Sequence, residues 1–275
     1  MNERVKRDVT ARGVRMRVVE AGSGPPVILV HDFLVSHLEF ETVLAPLAER
    51  FRVLAPDLPG FGESEKPSPA RYAYGIESFA EAIVDMIAGL ELGRVSIVGH
   101  SLGGAAAITV AAEHPELVER LVLVDAMTYP FRLDFRSRLP LTPLLGGLLF
   151  KQLYGRGTFR RHFRDNVFSP GFSLPLDRID RYYEQFNTPA ARESAHAVLH
   201  STRDTRPTVA RITRITAPTL VVWGRRDRMF PASFGQRLAR EIPGARLDVL
   251  DAGHSPNEER PQEFVHSIGR FLPKR

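Results

Sequence analysis

Cysteine is absent from this chain of 275 residues. Disulfide bonds, thiolate metal sites and a cysteine nucleophile are therefore excluded. Long apolar runs are missing as well: none reaches the roughly 18 residues that span a bilayer, and the longest, at 139–150, is broken by prolines and glycines. The first residues contain no apolar segment typical of a secretory signal. We therefore expect a soluble, cytoplasmic protein with no membrane span.

The positive charge of the chain has no accompanying nucleic-acid motif. The net charge is +5 and the sequence pI is about 9.8. Lysine and arginine are spread along the chain, and neither an RNA-binding signature nor zinc-finger spacing accompanies them. We interpret the charge as a solvated surface and expect no nucleic-acid partner. The sequence gives no indication of the oligomeric state.

Short apolar runs recur along the chain and alternate with helical patterns. Runs that are apolar almost throughout are typical of parallel strands covered on both faces. Strands that alternate with helices predict an α/β fold in which a mostly parallel central sheet is flanked by helices. The predicted strands are 27–30, 53–55, 95–98, 121–124, 220–223 and 247–250, and the clearest predicted helices are 76–92, 101–113 and 261–271.

One long stretch, from about Met127 to Arg211, interrupts this alternation. It contains no clear core strand but is rich in Phe, Leu, Pro and Arg. Such a length is too great for a plain loop, so we predict a mainly helical inserted cap. The predicted domains are a core formed by 1–126 and 212–275 and a cap, or lid, formed by 127–211. The apolar cluster at 139–150 is expected to pack the cap core or to roof an acyl pocket.

The strongest chemical signal is the sequence Gly-His-Ser-Leu-Gly-Gly at 99–104. It follows a predicted strand and opens a helix of small residues, which is the context of a nucleophile elbow. Small neighbours permit the tight turn that exposes Ser101 to substrate. The Leu102 amide, next along the chain, points toward a developing oxyanion. We therefore predict Ser101 as nucleophile and Leu102 as an oxyanion-hole donor.

A serine hydroxyl needs a general base, and that base needs an orienting acid. His254 follows the predicted strand 247–250, so its imidazole can reach an elbow serine. Asp227 follows strand 220–223 and is the preferred acid. Asp125, at the end of strand 121–124, is the alternative. His31, His100 and His114 are interpreted as structural or supporting residues.

The order Ser, Asp, His along the chain is that of α/β-hydrolases, and the sequence resembles the capped, epoxide-hydrolase-like and esterase-like branch of that superfamily. The matching segments are 30–33, 57–64, 99–104, 224–227 and 253–254. The resemblance implies the α/β-hydrolase fold and a purely structural loop at 57–64. Haloalkane dehalogenases and epoxide hydrolases of this branch use an elbow aspartate, whereas Ser101 suits acyl transfer.

The second oxyanion donor of the family comes from a His-Gly-x loop, in which the amide of x donates. This chain reads His31-Asp32-Phe33, so the resemblance assigns that role to Phe33. Asp32 departs from the pattern, because a carboxylate near the oxyanion opposes the charge that the site must stabilise. We expect Asp32 to point away from the cavity.

These features predict a serine hydrolase that cleaves carboxylic esters of short to medium acyl length through an acyl-enzyme intermediate. The expected substrate is a small-molecule ester, and no metal or organic cofactor is expected. Other chemistries of the same triad remain open: a C–C bond hydrolase, a cofactor-free perhydrolase, an aminopeptidase or a hydroxynitrile lyase. A non-catalytic binding protein on this scaffold is the alternative from another class.

Overall fold

A computed structural model describes residues 4–130, 147 and 149–273. Its centre is an eight-stranded sheet with the strand order β1-β2-β4-β3-β5-β6-β7-β8. Strands β3 to β8 are parallel, whereas β1 and β2 form an antiparallel hairpin at one edge. The strands are β1 (Val5–Ala11), β2 (Val14–Ala21), β3 (Pro26–Val30), β4 (Arg52–Pro56), β5 (Val95–His100), β6 (Val118–Val124), β7 (Thr219–Gly224) and β8 (Arg246–Leu250).

Helices connect the parallel strands and also fill the long segment between β6 and β7. The α-helices of the described residues are α1 (Glu41–Ala48), α2 (Ile76–Gly89), α3 (Leu102–Glu113), α4 (Arg156–His162), α5 (Leu176–Phe186), α6 (Pro189–Ser201), α7 (Arg206–Ile212), α8 (Ala232–Glu241), α9 (Pro256–Glu259) and α10 (Pro261–Phe271). A 3₁₀ turn covers His37–Phe40, and π-helical turns cover Leu149–Leu153 and Phe163–Val167.

The predicted α/β-hydrolase fold is confirmed, and each predicted strand and helix overlaps an observed one. Helices α1 and α8 were not among the predicted elements, and neither was the N-terminal hairpin. Its turn places Arg12 and Gly13 at φ values of 53° and 71°, a geometry that joins two antiparallel strands tightly. Five of the seven residues of β1 are exposed at the sheet edge, so it lacks the continuous apolar run of the central strands.

Side chains of the central strands pack on both faces of the sheet. On one face Ile28 and Ile97 contact α2 and α3, whose small residues allow α3 to lie close to β5. On the other face Leu29 and Val98 pack with apolar residues of α1 and α10. The alternate burial explains why these strands are apolar throughout. It also holds the carboxyl ends of β3, β5, β6, β7 and β8 at one edge.

Helices between β6 and β7 share an aromatic core of their own. Phe159 is fully buried and contacts the rings of Tyr154, Phe163, Tyr183 and Phe186. Leu34 and Val35, from the loop after β3, join the same cluster. The predicted limits of the cap at 127 and 211 stay a prediction.

Most of the predicted apolar cluster at 139–150 lies outside the described residues. Phe150 is described, and it is buried against Tyr154 and Phe186. Among the described residues, no helix is both long and apolar enough to cross a membrane.

Candidate active site

Ser101 lies on a strained turn between β5 and α3. Its φ of 50° and ψ of −109° place a side-chain-bearing residue in a backbone region that costs free energy. A Cβ on Gly99 would lie 2.5 Å from the Gly103 carbonyl oxygen, and one on Gly103 would collide with that of Val30. The small residues around Ser101 are therefore required by close backbone approach, as a nucleophile elbow demands.

His254 lies in the loop after β8, and its imidazole is fully buried. Its Nδ1 donates a hydrogen bond of 2.8 Å to Oδ2 of Asp227. The other oxygen of Asp227 accepts hydrogen bonds from the amides of Met229 and Phe230. Because both carboxylate oxygens are engaged, Asp227 orients the ring and directs Nε2 into the site.

Asp125, the alternative acid, lies beside this pair but does not hydrogen-bond to His254. Its Oδ1 accepts from the Gly224 amide at 2.9 Å, and its Oδ2 has no hydrogen-bond partner among the described residues. Burial and the neighbouring charge of Asp227 both raise the pKa of Asp125 well above its ordinary value. We therefore expect Asp125 to be protonated, which spares the site a second buried anion.

Asp32 faces the site, so the expectation that it points away from the cavity is wrong. Its Oδ1 accepts a hydrogen bond of 3.3 Å from the Leu102 amide, and its Oδ2 lies 3.5 Å from Nε2 of His254. The predicted oxyanion donor at Leu102 is thus occupied by a carboxylate of the protein. The physical reason is local charge: burial opposes an ionised Asp32, but His254 and His100 outweigh it and lower the pKa of Asp32.

Phe33 follows Asp32 in the same loop and packs its ring edge-on against Phe61. The structure attributes no hydrogen bond to the Phe33 amide among the described residues. Its role as second oxyanion donor therefore stays a prediction.

Glu39 and His100 form hydrogen bonds that support Asp32 and His254, and these contacts were not predicted from the sequence. Glu39 accepts from the Asp32 amide at 3.2 Å and from Nδ1 of His100 at 3.0 Å. Nε2 of His100 donates to the His254 carbonyl oxygen at 2.7 Å. Burial opposes a charged His100, but Glu39 outweighs it and raises the pKa of His100. In the sequence, the position of His100 inside the elbow motif indicates a role in the site, whereas no motif marks Glu39.

His31 supports the same loop from the other side. Its Nδ1 donates to the Asp32 carbonyl oxygen at 2.6 Å, while its Nε2 accepts from the Leu58 amide at 2.9 Å. This pattern agrees with the structural role predicted for His31. The backbone of Asp32 is therefore held at both its amide and its carbonyl.

The segment after α4 closes over the His254 loop. The Val167 carbonyl oxygen accepts from the His254 amide at 2.7 Å. Glu259 accepts from the amides of Ser169 and Gly253 at 3.0 and 2.8 Å. Ser101 is 3% exposed, so the site as described is covered and shielded from bulk water.

Two groups of acidic and histidine residues in the site are close enough to be considered for a metal ion. Asp32 with His100 and His254 forms one, and Asp125 with Asp227 and His254 forms the other. Both nitrogens of His100 and Nδ1 of His254 already donate hydrogen bonds within the protein. A ligand nitrogen must be free of its proton, so these contacts favour a hydrogen-bonded network over a metal centre.

The sequence of this chain matches a known protein family. Residues 25–261 match the family model described as the alpha/beta hydrolase fold. An uncharacterised protein of Mycobacterium tuberculosis is 32% identical, with 96% of this chain and 80% of the relative covered. The 2-hydroxy-6-oxo-2,4-heptadienoate hydrolase of Pseudomonas putida is 29% identical, with 99% and 98% covered.

A solved structure agrees with these sequence relatives. A serine hydrolase involved in carbazole degradation superposes with a TM-score of 0.82 at 27% identity, covering 98% of this chain and 99% of its own. The resemblance seen in the sequence is thereby confirmed, and this chain belongs to the α/β-hydrolase family.

Proposed function

We propose that this chain is a serine hydrolase that cleaves carboxylic esters through an acyl-enzyme intermediate, with Ser101, His254 and Asp227 as its triad. The observation that carries the proposal is the 2.8 Å hydrogen bond from His254 to Asp227. This hydrogen bond directs Nε2 of the buried His254 toward the carboxylate of Asp32. The same carboxylate interacts with Ser101 on its strained turn.

The proposed reaction begins when Ser101 attacks the ester carbonyl and His254 accepts the serine proton. The negative oxygen of the tetrahedral intermediate binds the Leu102 amide, and by family resemblance also the Phe33 amide. The protonated His254 then delivers its proton to the departing alcohol. Water, activated by the same histidine, hydrolyses the acyl-enzyme and restores Ser101.

A small-molecule ester with a short to medium acyl chain is the proposed substrate. The covered position of Ser101, which is 3% exposed, supports this choice, because a molecule must enter beneath the covering segment. A nucleophilic serine supports acyl transfer over displacement at a saturated carbon. The site residues require no cofactor for this reaction.

Carbon–carbon bond hydrolysis is the second candidate. The relative named for 2-hydroxy-6-oxo-2,4-heptadienoate is aligned over nearly the whole of this chain. That dienoate contains no ester or amide bond, so its hydrolysis must break a carbon–carbon bond. Both candidates need the same triad, and they differ in the leaving group that His254 protonates.

Fluorophosphonate labelling together with a substrate screen tests the proposal. We expect wild type to be labelled at Ser101, and Ser101→Ala and His254→Ala to lose labelling and ester turnover while remaining folded. The screen compares p-nitrophenyl esters of rising acyl length with a 2-hydroxy-6-oxo-dienoate. Turnover of the dienoate alone would favour the second candidate, and a wild-type serine that stays unlabelled at neutral and alkaline pH would refute both.

A further inference from the structure

The Asp32 carboxylate lies among three groups of the proposed catalytic machinery. It accepts from the Leu102 amide at 3.3 Å and lies 3.5 Å from Nε2 of His254. The Ser101 hydroxyl interacts with it as well. A substrate carbonyl oxygen would need the Leu102 amide as its hydrogen-bond donor. The serine that attacks this carbonyl would need Nε2 of His254 as its base. The carboxylate therefore stands where the reacting group of a substrate belongs.

This position is built into the fold. The Asp32 amide donates to Glu39 and its carbonyl oxygen accepts from His31, so the backbone is held on both sides. The residue is 8% exposed. A side chain that merely replaced the usual glycine could have turned to solvent, whereas this one is directed inward by the charges that it meets.

Those charges alternate along a buried series of groups. Glu39 contacts His100, while Asp32 is attracted by both His100 and His254, and His254 contacts Asp227. Two histidines thus separate three carboxylates. In such an order each imidazolium is stabilised by the anions on either side of it, and each anion is stabilised by the neighbouring imidazolium.

Among the described residues, three further titratable groups face His254: Asp125, His162 and His100. The His100 ring lies 5.1 Å from that of His254, and the positive charges of the two rings oppose each other. On the sheet side, burial and the charge of Asp227 raise the pKa of Asp125 well above its ordinary value, which favours its uncharged form. On the cap side, burial lowers the pKa of His162 to about 4, so His162 is neutral near pH 7. Phe230 meets the His254 ring edge-on at 5.2 Å. In the part of the chain that the structure describes, Asp32 and Asp227 are therefore the anions that directly face the ring of His254.

Burial by itself disfavours the imidazolium, but Asp227 and Asp32 outweigh burial and raise the pKa of His254 well above its ordinary value. Asp227 performs this function in any triad. Asp32 adds a second anion on the nitrogen that must accept the serine proton. Nε2 can accept that proton only after it has lost its own.

We infer that Asp32 is a further catalytic residue of the proposed hydrolase: it holds a proton on His254 and covers the Leu102 amide, so that ester cleavage is confined to alkaline pH. The inference rests on the proposed function. Two effects are combined in it. The negative charge of Asp32 determines the pH at which His254 becomes a base, and the contact with Leu102 withholds an oxyanion donor until substrate displaces it.

Two substitutions separate the charge from the contact. Asp32→Asn removes the charge but keeps a carbonyl oxygen for the Leu102 amide. Asp32→Gly, the residue usual in the family, removes both. Asp204→Asn is the matched control, since Asp204 is exposed and paired with Arg206. The measurement is kcat/KM for p-nitrophenyl acetate from pH 5 to 10.

We expect the acid limb of the wild-type profile to lie well above pH 6.5 and that of Asp32→Asn to move down by about one pH unit or more. At pH 7 this shift makes Asp32→Asn roughly tenfold faster than wild type or more. Asp32→Gly should share the lowered limb and also reach a higher alkaline plateau. The Asp204→Asn profile should overlie the wild type.

Coincident acid limbs for wild type and Asp32→Asn would overturn the effect of the charge. Equal plateaus for Asp32→Asn and Asp32→Gly would overturn the effect of the Leu102 contact. A second measurement tests the inference without depending on the catalytic activity of the variants. In ¹⁵N-histidine NMR, His254 should be an imidazolium at pH 7 in wild type, and in Asp32→Asn the imidazolium should lose its proton at a lower pH than in wild type.

A neutral His254 in wild type would refute the inference whatever the rates are. Failure of the proposed function has a different signature: no fluorophosphonate labelling of wild type or of either Asp32 variant at any pH. In that case the NMR result still decides whether Asp32 controls the proton on His254, and the catalytic role is refuted.

Discussion

Asp125 and Asp227 bring two buried carboxyl groups together at the ends of the neighbouring strands β6 and β7, and only Asp227 hydrogen-bonds to His254. Either position could have supplied the acid, because both follow strands that end at the same edge of the sheet. Asp125 instead accepts a hydrogen bond from the amide of Gly224, which lies at the end of the strand that leads to Asp227. The alternative acid thus supports the loop of the preferred one.

Asp227→Asn should lower kcat/KM for an ester by roughly 10³- to 10⁴-fold, because an amide no longer orients and stabilises the imidazolium. Asp125→Asn should stay within roughly tenfold of wild type, since an amide imitates a protonated carboxyl and keeps the Gly224 contact. Steady-state kinetics on the two variants measures both effects. The opposite ranking would assign the acid role to Asp125.

Gly224→Ala should damage the site more than the fold. A Cβ at Gly224 would collide with the carbonyl oxygen of Gly253, which precedes His254. The backbone must move to accommodate it, and a displacement of about 1 Å at a catalytic group costs on the order of 10²-fold in rate. Kinetics and thermal unfolding should be compared with Gly157→Ala, where nothing meets the added methyl. Full activity in Gly224→Ala would contradict the requirement for close approach.

We expect Glu258 to make the stability of the protein depend on pH. It contacts Tyr182 at 2.6 Å and Arg178 at 3.2 Å on α5. Burial, partly offset by Arg178 and Tyr182, raises its pKa to about 7. Between the ordinary value of 4.5 and about 7, the unfolded chain has lost this proton while the folded chain keeps it, so stability falls as pH rises.

We therefore expect the unfolding free energy of wild type, relative to Glu258→Gln, to fall by up to about 3 kcal/mol between pH 4.5 and pH 8. Glutamine cannot ionise, so it removes this dependence. Urea unfolding at several pH values measures the difference, with Glu184→Gln as an exposed control on the same helix that Glu258 contacts. A difference that grows with pH would mean that Glu258 is ionised in the folded protein.

Phe159→Ala should loosen the helices that cover the site. The fully buried ring contacts four other aromatic rings, and its removal leaves a cavity that costs about 3–5 kcal/mol. Thermal unfolding and limited proteolysis should show the change between β6 and β7, while β1–β6 remain protected. Leu153→Ala, at a side chain that is 66% exposed, is the control. Equal melting temperatures would contradict a cooperative aromatic core.

Features of this chain that depend on neighbouring residues could be predicted from the sequence, because the interactions that produce them act within a short segment. The elbow around Ser101 could be recognised because its strain and its small neighbours lie within six consecutive residues, 99–104. The strand pattern could be recognised because burial on both faces requires continuous apolar runs. The β1–β2 hairpin was missed because an edge strand with mostly exposed residues has a weaker apolar pattern.

The sequence by itself determined the parallel sheet, the elbow serine and the loops that carry His254 and Asp227, because each depends on local geometry or on a strand that ends at a known edge. Only the tertiary structure decided where Asp32 points. Its orientation depends on His254, far along the chain, and on Glu39 and His100, which reach it from two other elements. Attraction between buried charges acts over a few ångströms of space and leaves no periodicity in the sequence.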